Sequence, residues 1–98
     1  MRVGIIGLGF VGLSFASVLG SKNYSTLCFD SDKKKTIKIK NGKPPFYEPH
    51  LEKTLCLALR RGLEIVDKIR TIVENCQIVF VTVGTPQSND DSINLSMV

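Results

Sequence analysis

Three glycines at G-x-G-x-x-G spacing, in Gly7-Leu8-Gly9-Phe10-Val11-Gly12, come directly after the apolar stretch Val3 to Ile6 and lead into the apolar run Val11 to Leu19. The chemistry open to such a turn is the holding of a pyrophosphate. Gly7 takes a bend too tight for a Cβ, Gly9 lets backbone N–H groups close on phosphate oxygens, and Gly12 lets a helix come close to the sheet. That helix offers unpaired N–H groups and the positive end of its dipole to the anion. Glycines also mark ordinary loops, so the weight of the pattern depends on the neighbouring chain.

The next β-type run, Tyr24-Ser25-Thr26-Leu27-Cys28-Phe29-Asp30, ends in a carboxylate. The acid stands about 20 residues past the glycines, where a ribose-binding carboxylate is expected. Asp30 can accept hydrogen bonds from the hydroxyls of an adenosine ribose. It could instead cap the next helix, for which Ser31 and Asp32 are also suited. Strand, glycines, helix, strand and acid in this order favour the nucleotide. An acid here also favours NAD over NADP, because it would repel the extra 2′-phosphate.

The remaining composition narrows the class. At 98 residues, 43% hydrophobic and 22% charged, the chain suits one small globular domain. No apolar stretch approaches the roughly 18 residues of a membrane-spanning helix. The N-terminus runs straight into the glycine motif, so it reads as a working strand rather than a signal peptide, and a cytoplasmic location is expected. Cys28, Cys56 and Cys76 are odd in number, widely spaced and set in apolar surroundings. They read as reduced, unreactive thiols serving as small core residues. There is no C-x-x-C, and His50 is the single histidine, so no metal site is expected.

The net charge is +4, and Lys33, Lys34, Lys35, Lys38, Lys40 and Lys43 supply six of the thirteen basic residues. A solvated helix face accounts for that cluster better than a polyanion site, although one of these lysines could touch a cofactor. Nucleic acid is not an expected partner, since no docking motif or aromatic interleaving accompanies the charge.

The elements that must position these residues alternate. Periodicity and capping signals predict strands over 2–6, 24–29, 63–66 and 77–83, and helices over 10–20, 32–41, 48–60 and 68–75. Alternation of this kind implies an α/β fold with a parallel sheet and right-handed crossovers. Leu51, Leu55, Ala58 and Leu59 recur at helical spacing and should face the sheet, while the apolar run Ile78 to Val83 suggests a strand covered on both faces. Ser88 to Ser92 is polar and reads as a mobile loop.

Two further stretches are more specific. Asn41-Gly42-Lys43-Pro44-Pro45-Phe46-Tyr47-Glu48-Pro49-His50-Leu51 is stiffened by three prolines, and Glu48 can place negative charge at a helix N-terminus. Val81-Thr82-Val83-Gly84-Thr85-Pro86 ends a strand at the carboxyl edge of the sheet, where ligands bind in open α/β folds; the Thr85 hydroxyl could bond a ligand or brace the turn. With Gly-Leu-Gly-Phe-Val-Gly, these motifs resemble the UDP-glucose/GDP-mannose dehydrogenase family in the right order and across essentially the whole chain. The resemblance is nearest to its UDP-glucose 6-dehydrogenases.

The resemblance implies a Rossmann-type doubly wound parallel sheet that is incomplete, with 1–98 as a partial NAD-binding domain and the substrate and dimerisation domains outside this chain. It puts the pyrophosphate on the backbone around Gly9, Phe10, Val11 and Gly12, with Gly7 as the turn residue of the same cofactor-binding motif, and the adenosine ribose on Asp30. Lys35, five positions beyond that acid, matches the family's adenosine-side lysine, and Thr85 its cofactor-contacting threonine. His50, Asp91 and Asn94 depart from the family's usual glycine, glycine and aspartate.

The chemistry implied is a double oxidation, in which two NAD molecules convert the primary alcohol of a nucleotide-linked sugar to a carboxylate. Family members use a cysteine thiolate to trap the intermediate aldehyde, and the resulting thioester is hydrolysed. None of Cys28, Cys56 or Cys76 matches that cysteine, so no catalytic residue is assigned. The 98-residue chain is expected to be inactive alone, and the whole enzyme to be a homodimer taking a nucleotide sugar. A stand-alone NAD-binding or regulatory module stays open as the alternative, as does a truncated short-substrate dehydrogenase, which would not require the proline loop or the Val-Gly-Thr-Pro turn.

Overall fold

The computed structural model describes residues 1–82. Thr85, the turn expected at Gly84-Thr85-Pro86 and the polar loop expected at Ser88 to Ser92 all lie outside the described residues. Within them the chain alternates as its patterning dictates. β1 (Arg2–Ile6), α1 (Phe10–Ser21), β2 (Ser25–Phe29), α2 (Lys33–Lys40), α3 (Pro49–Arg61), β3 (Leu63–Ile65), α4 (Ile69–Asn75) and β4 (Ile78–Val81) succeed one another. The strands form one parallel sheet in the order β3-β2-β1-β4.

Strand periodicity sorts the side chains onto two faces. Val3 and Ile5 of β1, Cys28 of β2, and Leu63 and Ile65 of β3 join the larger core cluster, with Leu13 and Ala16 of α1, Ile39 of α2, and Leu51, Leu55 and Ala58 of α3. On the opposite face Leu27 packs with Val66 and Ile72, and Ile6, Phe29 and Cys76 border them. Helices therefore cover both sides of the sheet, which accounts for the apolar character of β1 and β2. Among the described residues no helix is long and apolar enough to cross a membrane.

Helix starts reflect local chemistry. Asp32 caps α2, accepting from the Lys34 and Lys35 N–H groups at 3.0 and 3.2 Å. Glu48 caps α3, accepting the His50 N–H at 3.2 Å, and Pro49 occupies the first turn, where its missing N–H costs nothing. The proline loop leads directly into that cap.

Two expectations need correction. Cys56 is exposed, not part of the core, because it lies beside Leu55 on α3 but outside the seam formed by Leu51, Leu55 and Ala58. β4 is not covered on both faces: it is the outer strand of the described sheet, and Ile78, Val79, Phe80 and Val81 are each about 40% exposed. An apolar run signals a buried strand only when further elements flank it, and here the edge-on contact of Phe15 on α1 with Phe80, centroids 5.0 Å apart, still leaves β4 partly exposed. The described part of this strand is also shorter than 77–83, since Gln77 precedes β4 and Thr82 comes after it.

Candidate cofactor site

β1 lies between β2 and β4, so the chain that leaves its carboxyl end emerges where strand order reverses, the position at which open parallel sheets bind ligands. The glycine turn starts there. Gly7 sits at φ 101°, a left-handed conformation that side chains disfavour. Its N–H donates to the Phe29 carbonyl at 2.8 Å, tying the turn to the end of β2. A Cβ on Gly12 would collide with the Gly7 carbonyl oxygen and the Thr82 hydroxyl, so glycine is required there by the close approach of α1 to the turn.

Gly9 differs from both. Its backbone is extended, with φ −77° and ψ −164°, and a Cβ built on it would meet nothing within 4 Å. Neither strain nor packing within the protein demands glycine at this position. The open space above it is what a phosphate would use. α1 begins immediately afterwards, and unlike α2 and α3 it has neither a side-chain cap nor an acidic residue in its first turn. Its first N–H groups and positive dipole end are thus left to an anion. Phe10 and Val11 sit in that first turn with exposed side chains.

Asp30 stands just past β2 and turns back toward the glycines. Its Oδ2 accepts the Leu8 N–H at 2.8 Å and lies 3.2 Å from the Lys35 Nζ; its Oδ1 accepts the Asp32 N–H at 2.8 Å. Burial pushes this carboxyl up, but the Asp32 and Leu8 N–H groups and the Lys35 ammonium outweigh it and hold the carboxyl below its ordinary value. Asp30 is therefore a carboxylate at neutral pH. It does not cap α2, a role filled by Asp32.

Ile6, Gly7, Gly9, Phe29, Asp30, Ser31, Lys35 and Ile69 line one cleft of about 360 Å³. It has an apolar wall for a flat base, a carboxylate for hydroxyls and a glycine turn at its mouth. A larger depression of about 550 Å³ runs along α3 by Pro49, Glu52, Lys53, Cys56, Leu57 and Arg60, away from the glycine turn. Size does not select the site here; convergent polar groups do. The structure thus gathers Gly7, Gly9, Asp30 and Lys35 around one cleft, with Phe10, Val11 and Gly12 in the adjoining helix start. Of the lysine cluster, Lys35 alone turns to Asp30, while Lys33, Lys34, Lys38, Lys40 and Lys43 are exposed. No group of three potential metal ligands occurs among the described residues.

Two neighbours of the turn were not singled out from sequence. Thr82 donates its hydroxyl to the Gly7 carbonyl at 2.7 Å. The signal available was a lone hydroxyl in the apolar run Ile78 to Val83. Phe46 of the proline loop meets Phe10 with ring centroids 5.4 Å apart, so the loop braces the helix start beside the glycines. No spacing rule links positions so far apart in sequence.

Known proteins are similar to this chain in sequence and fold. The UDP-glucose 6-dehydrogenase of Pseudomonas aeruginosa is 32% identical over 99 aligned residues, covering 100% of this chain and 22% of that protein. Among solved structures, a ternary complex of GDP-mannose dehydrogenase from Pseudomonas aeruginosa superposes with a TM-score of 0.83 at 31% identity, over 93% of this chain and 21% of that one. A UDP-glucose dehydrogenase from the hyperthermophilic archaeon Pyrobaculum islandicum gives 0.82 at 28% identity, over 91% and 21%. The chain spans about a fifth of the length of these relatives. All of residues 1–98 match a single family description, and the chain belongs to the UDP-glucose/GDP-mannose dehydrogenase family, within its NAD-binding domain.

Proposed function

We propose that this chain holds NAD for a nucleotide-sugar dehydrogenase that oxidises the C6 alcohol of a UDP-sugar, of the UDP-glucose type, to the uronate in two NAD-dependent steps. Residues 1–98 serve as part of the dinucleotide-binding domain, and the catalytic cysteine, the substrate site and the homodimer contacts belong to the rest of the enzyme. NAD, when bound, supplies the hydride acceptor. This chain's own residues bind and orient it. The backbone of Gly9, Phe10, Val11 and Gly12 receives the pyrophosphate at the start of α1, while Gly7, whose own N–H is held by the Phe29 carbonyl, shapes the turn that presents them. Asp30 accepts from the adenosine ribose hydroxyls, Lys35 sits on the adenosine side, and Thr85, outside the described residues, contacts the cofactor.

The observation that carries this reading is the empty space over Gly9 beside an uncapped helix start, with Asp30 bordering the same cleft. The donor set fits a dinucleotide: N–H groups for phosphate oxygens, a carboxylate for hydroxyls, and apolar Ile6, Phe29 and Ile69 for a base. The names of the relatives support the nucleotide-sugar substrate.

Calorimetric titration of the 98-residue chain with NAD and NADP tests the cofactor. NAD is expected to bind more tightly than NADP, and Asp30→Ala to weaken NAD binding. Tighter NADP, or an unchanged affinity in a folded Asp30→Ala variant, would overturn the role of Asp30. The substrate is tested by monitoring NADH formation from UDP-glucose with the full-length protein. NAD binding without any turnover of nucleotide sugars would leave a binding module in place of a dehydrogenase.

A further inference from the structure

The peptide bond between Gly7 and Leu8 is held at both poles. Its carbonyl oxygen, on Gly7, accepts the Thr82 hydroxyl at 2.7 Å, and its N–H, on Leu8, donates to Asp30 at 2.8 Å. A peptide unit is planar and rigid, so fixing both poles fixes its rotation. The two holders come from opposite sides of β1, since Asp30 lies just past β2 and Thr82 just past β4. Thr82 is itself anchored, its N–H donating to the Ile6 carbonyl at 2.8 Å. Its hydroxyl also fills the space that a Cβ on Gly12 would need, so Thr82, the Gly7 carbonyl and the first turn of α1 meet at one point.

We propose that Thr82 is a positioning residue for the pyrophosphate: its hydroxyl, acting with Asp30 as a clamp on the Gly7–Leu8 peptide, sets the orientation of the glycine turn. The proposal rests on the NAD-binding reading above and deepens it. The next peptide units, through Leu8 and Gly9, lead straight into the free N–H groups of α1, so a rotation at Gly7 is passed to the donors that meet the phosphates. Gly7 is the residue at which such a rotation is easiest, because it lacks a Cβ to restrict its backbone. The hydroxyl supplies the restraint that the glycine gives up. This role is distinct from the direct ligand contact assigned to Thr85.

The test uses the 98-residue chain in three forms: unaltered, Thr82→Val, which keeps the volume and loses the donor, and Thr82→Ser, which keeps the donor. NAD and ADP-ribose affinities are measured by calorimetry, and exchange of the Leu8 and Ile5 amides by NMR. Thr82→Val is expected to weaken both ligands about fivefold, the scale of one hydrogen bond, and to speed exchange at Leu8 but not at Ile5. Thr82→Ser should stay within about twofold of the unaltered chain. Equal affinity in Thr82→Val while the unaltered chain binds NAD overturns the positioning role alone. Equal weakening in Thr82→Ser also overturns it, by tracing the loss to the methyl group. If Thr82→Val does not fold, a weakened Thr82→Ser or an unprotected Leu8 amide in the unaltered chain has the same force. Failure of the unaltered chain to bind either ligand instead removes the NAD-binding reading and the proposal with it.

Discussion

Asp30 accepts the Leu8 N–H at 2.8 Å, so the carboxylate expected to meet the ribose is at the same time a structural brace for the glycine turn. A carboxylate offers about four lone-pair positions. Leu8 and Lys35 occupy those of Oδ2, and Asp32 takes one of Oδ1. A ribose that brings two hydroxyls therefore meets one open position and one partner able to yield, the flexible Lys35 side chain. On the proposed role of Asp30, ligand contact and turn geometry are coupled through a single residue.

That coupling gives acid sensitivity with a definite sign. The Asp30 carboxyl is held below its ordinary value of 3.8, so its contribution to stability is fully present above that value and is lost as pH falls through the lower folded one. Urea unfolding midpoints measured from pH 6 down to about pH 2 should fall more steeply for the unaltered chain than for Asp30→Asn. Parallel curves would show that the carboxylate carries no such linkage.

The glycines should separate by role. Gly12→Ala pushes a Cβ into the Gly7 carbonyl and the Thr82 hydroxyl, and is expected to cost about 1–3 kcal/mol of unfolding free energy. Gly9→Ala meets open space, and its stability cost should stay near 1 kcal/mol or less, the scale of changing an N-cap glycine. Its effect should appear in NAD affinity instead. Denaturant titration and calorimetry on the two variants separate the cases.

Thiol chemistry should track exposure. Cys56 is exposed, Cys76 partly so, and Cys28 is buried, with burial and then the neighbouring Cys76 raising its pKa. Mass spectrometry during labelling with a small maleimide should show Cys56 modified first and Cys28 last, the latter only at the rate of unfolding.

Ser17 on α1 is fully buried, and its hydroxyl finds no hydrogen-bond partner among the described residues. Removing an unpaired buried hydroxyl relieves its desolvation, so Ser17→Ala should leave stability unchanged or raise it by about 1 kcal/mol, read from the denaturant midpoint. A loss of comparable size would mean that the hydroxyl is bonded.

Much of the fold was legible because its signals are local. The apolar alternation of β1 and β2, the caps at Asp32 and Glu48, and the Leu51-Leu55-Ala58 seam each depend on residues within a turn or two of one another. Exposure was harder to read. Cys56 and the residues of β4 have apolar sequence neighbours, yet what covers a side chain depends on elements distant in the chain.

The sequence by itself determined the order of elements, the glycine turn at 7–12, the acid at Asp30 and the family, because spacing along the chain encodes all of these. Tertiary structure alone decided how the turn is held. Thr82 reaches Gly7 across 75 positions of sequence and Phe46 reaches Phe10 across the proline loop, contacts that exist only once the parallel strands have set Ile6 beside Val81 and brought the loop over α1. A peptide plane clamped from two neighbouring strands leaves no local pattern, since its partners share a sheet edge and not a stretch of chain.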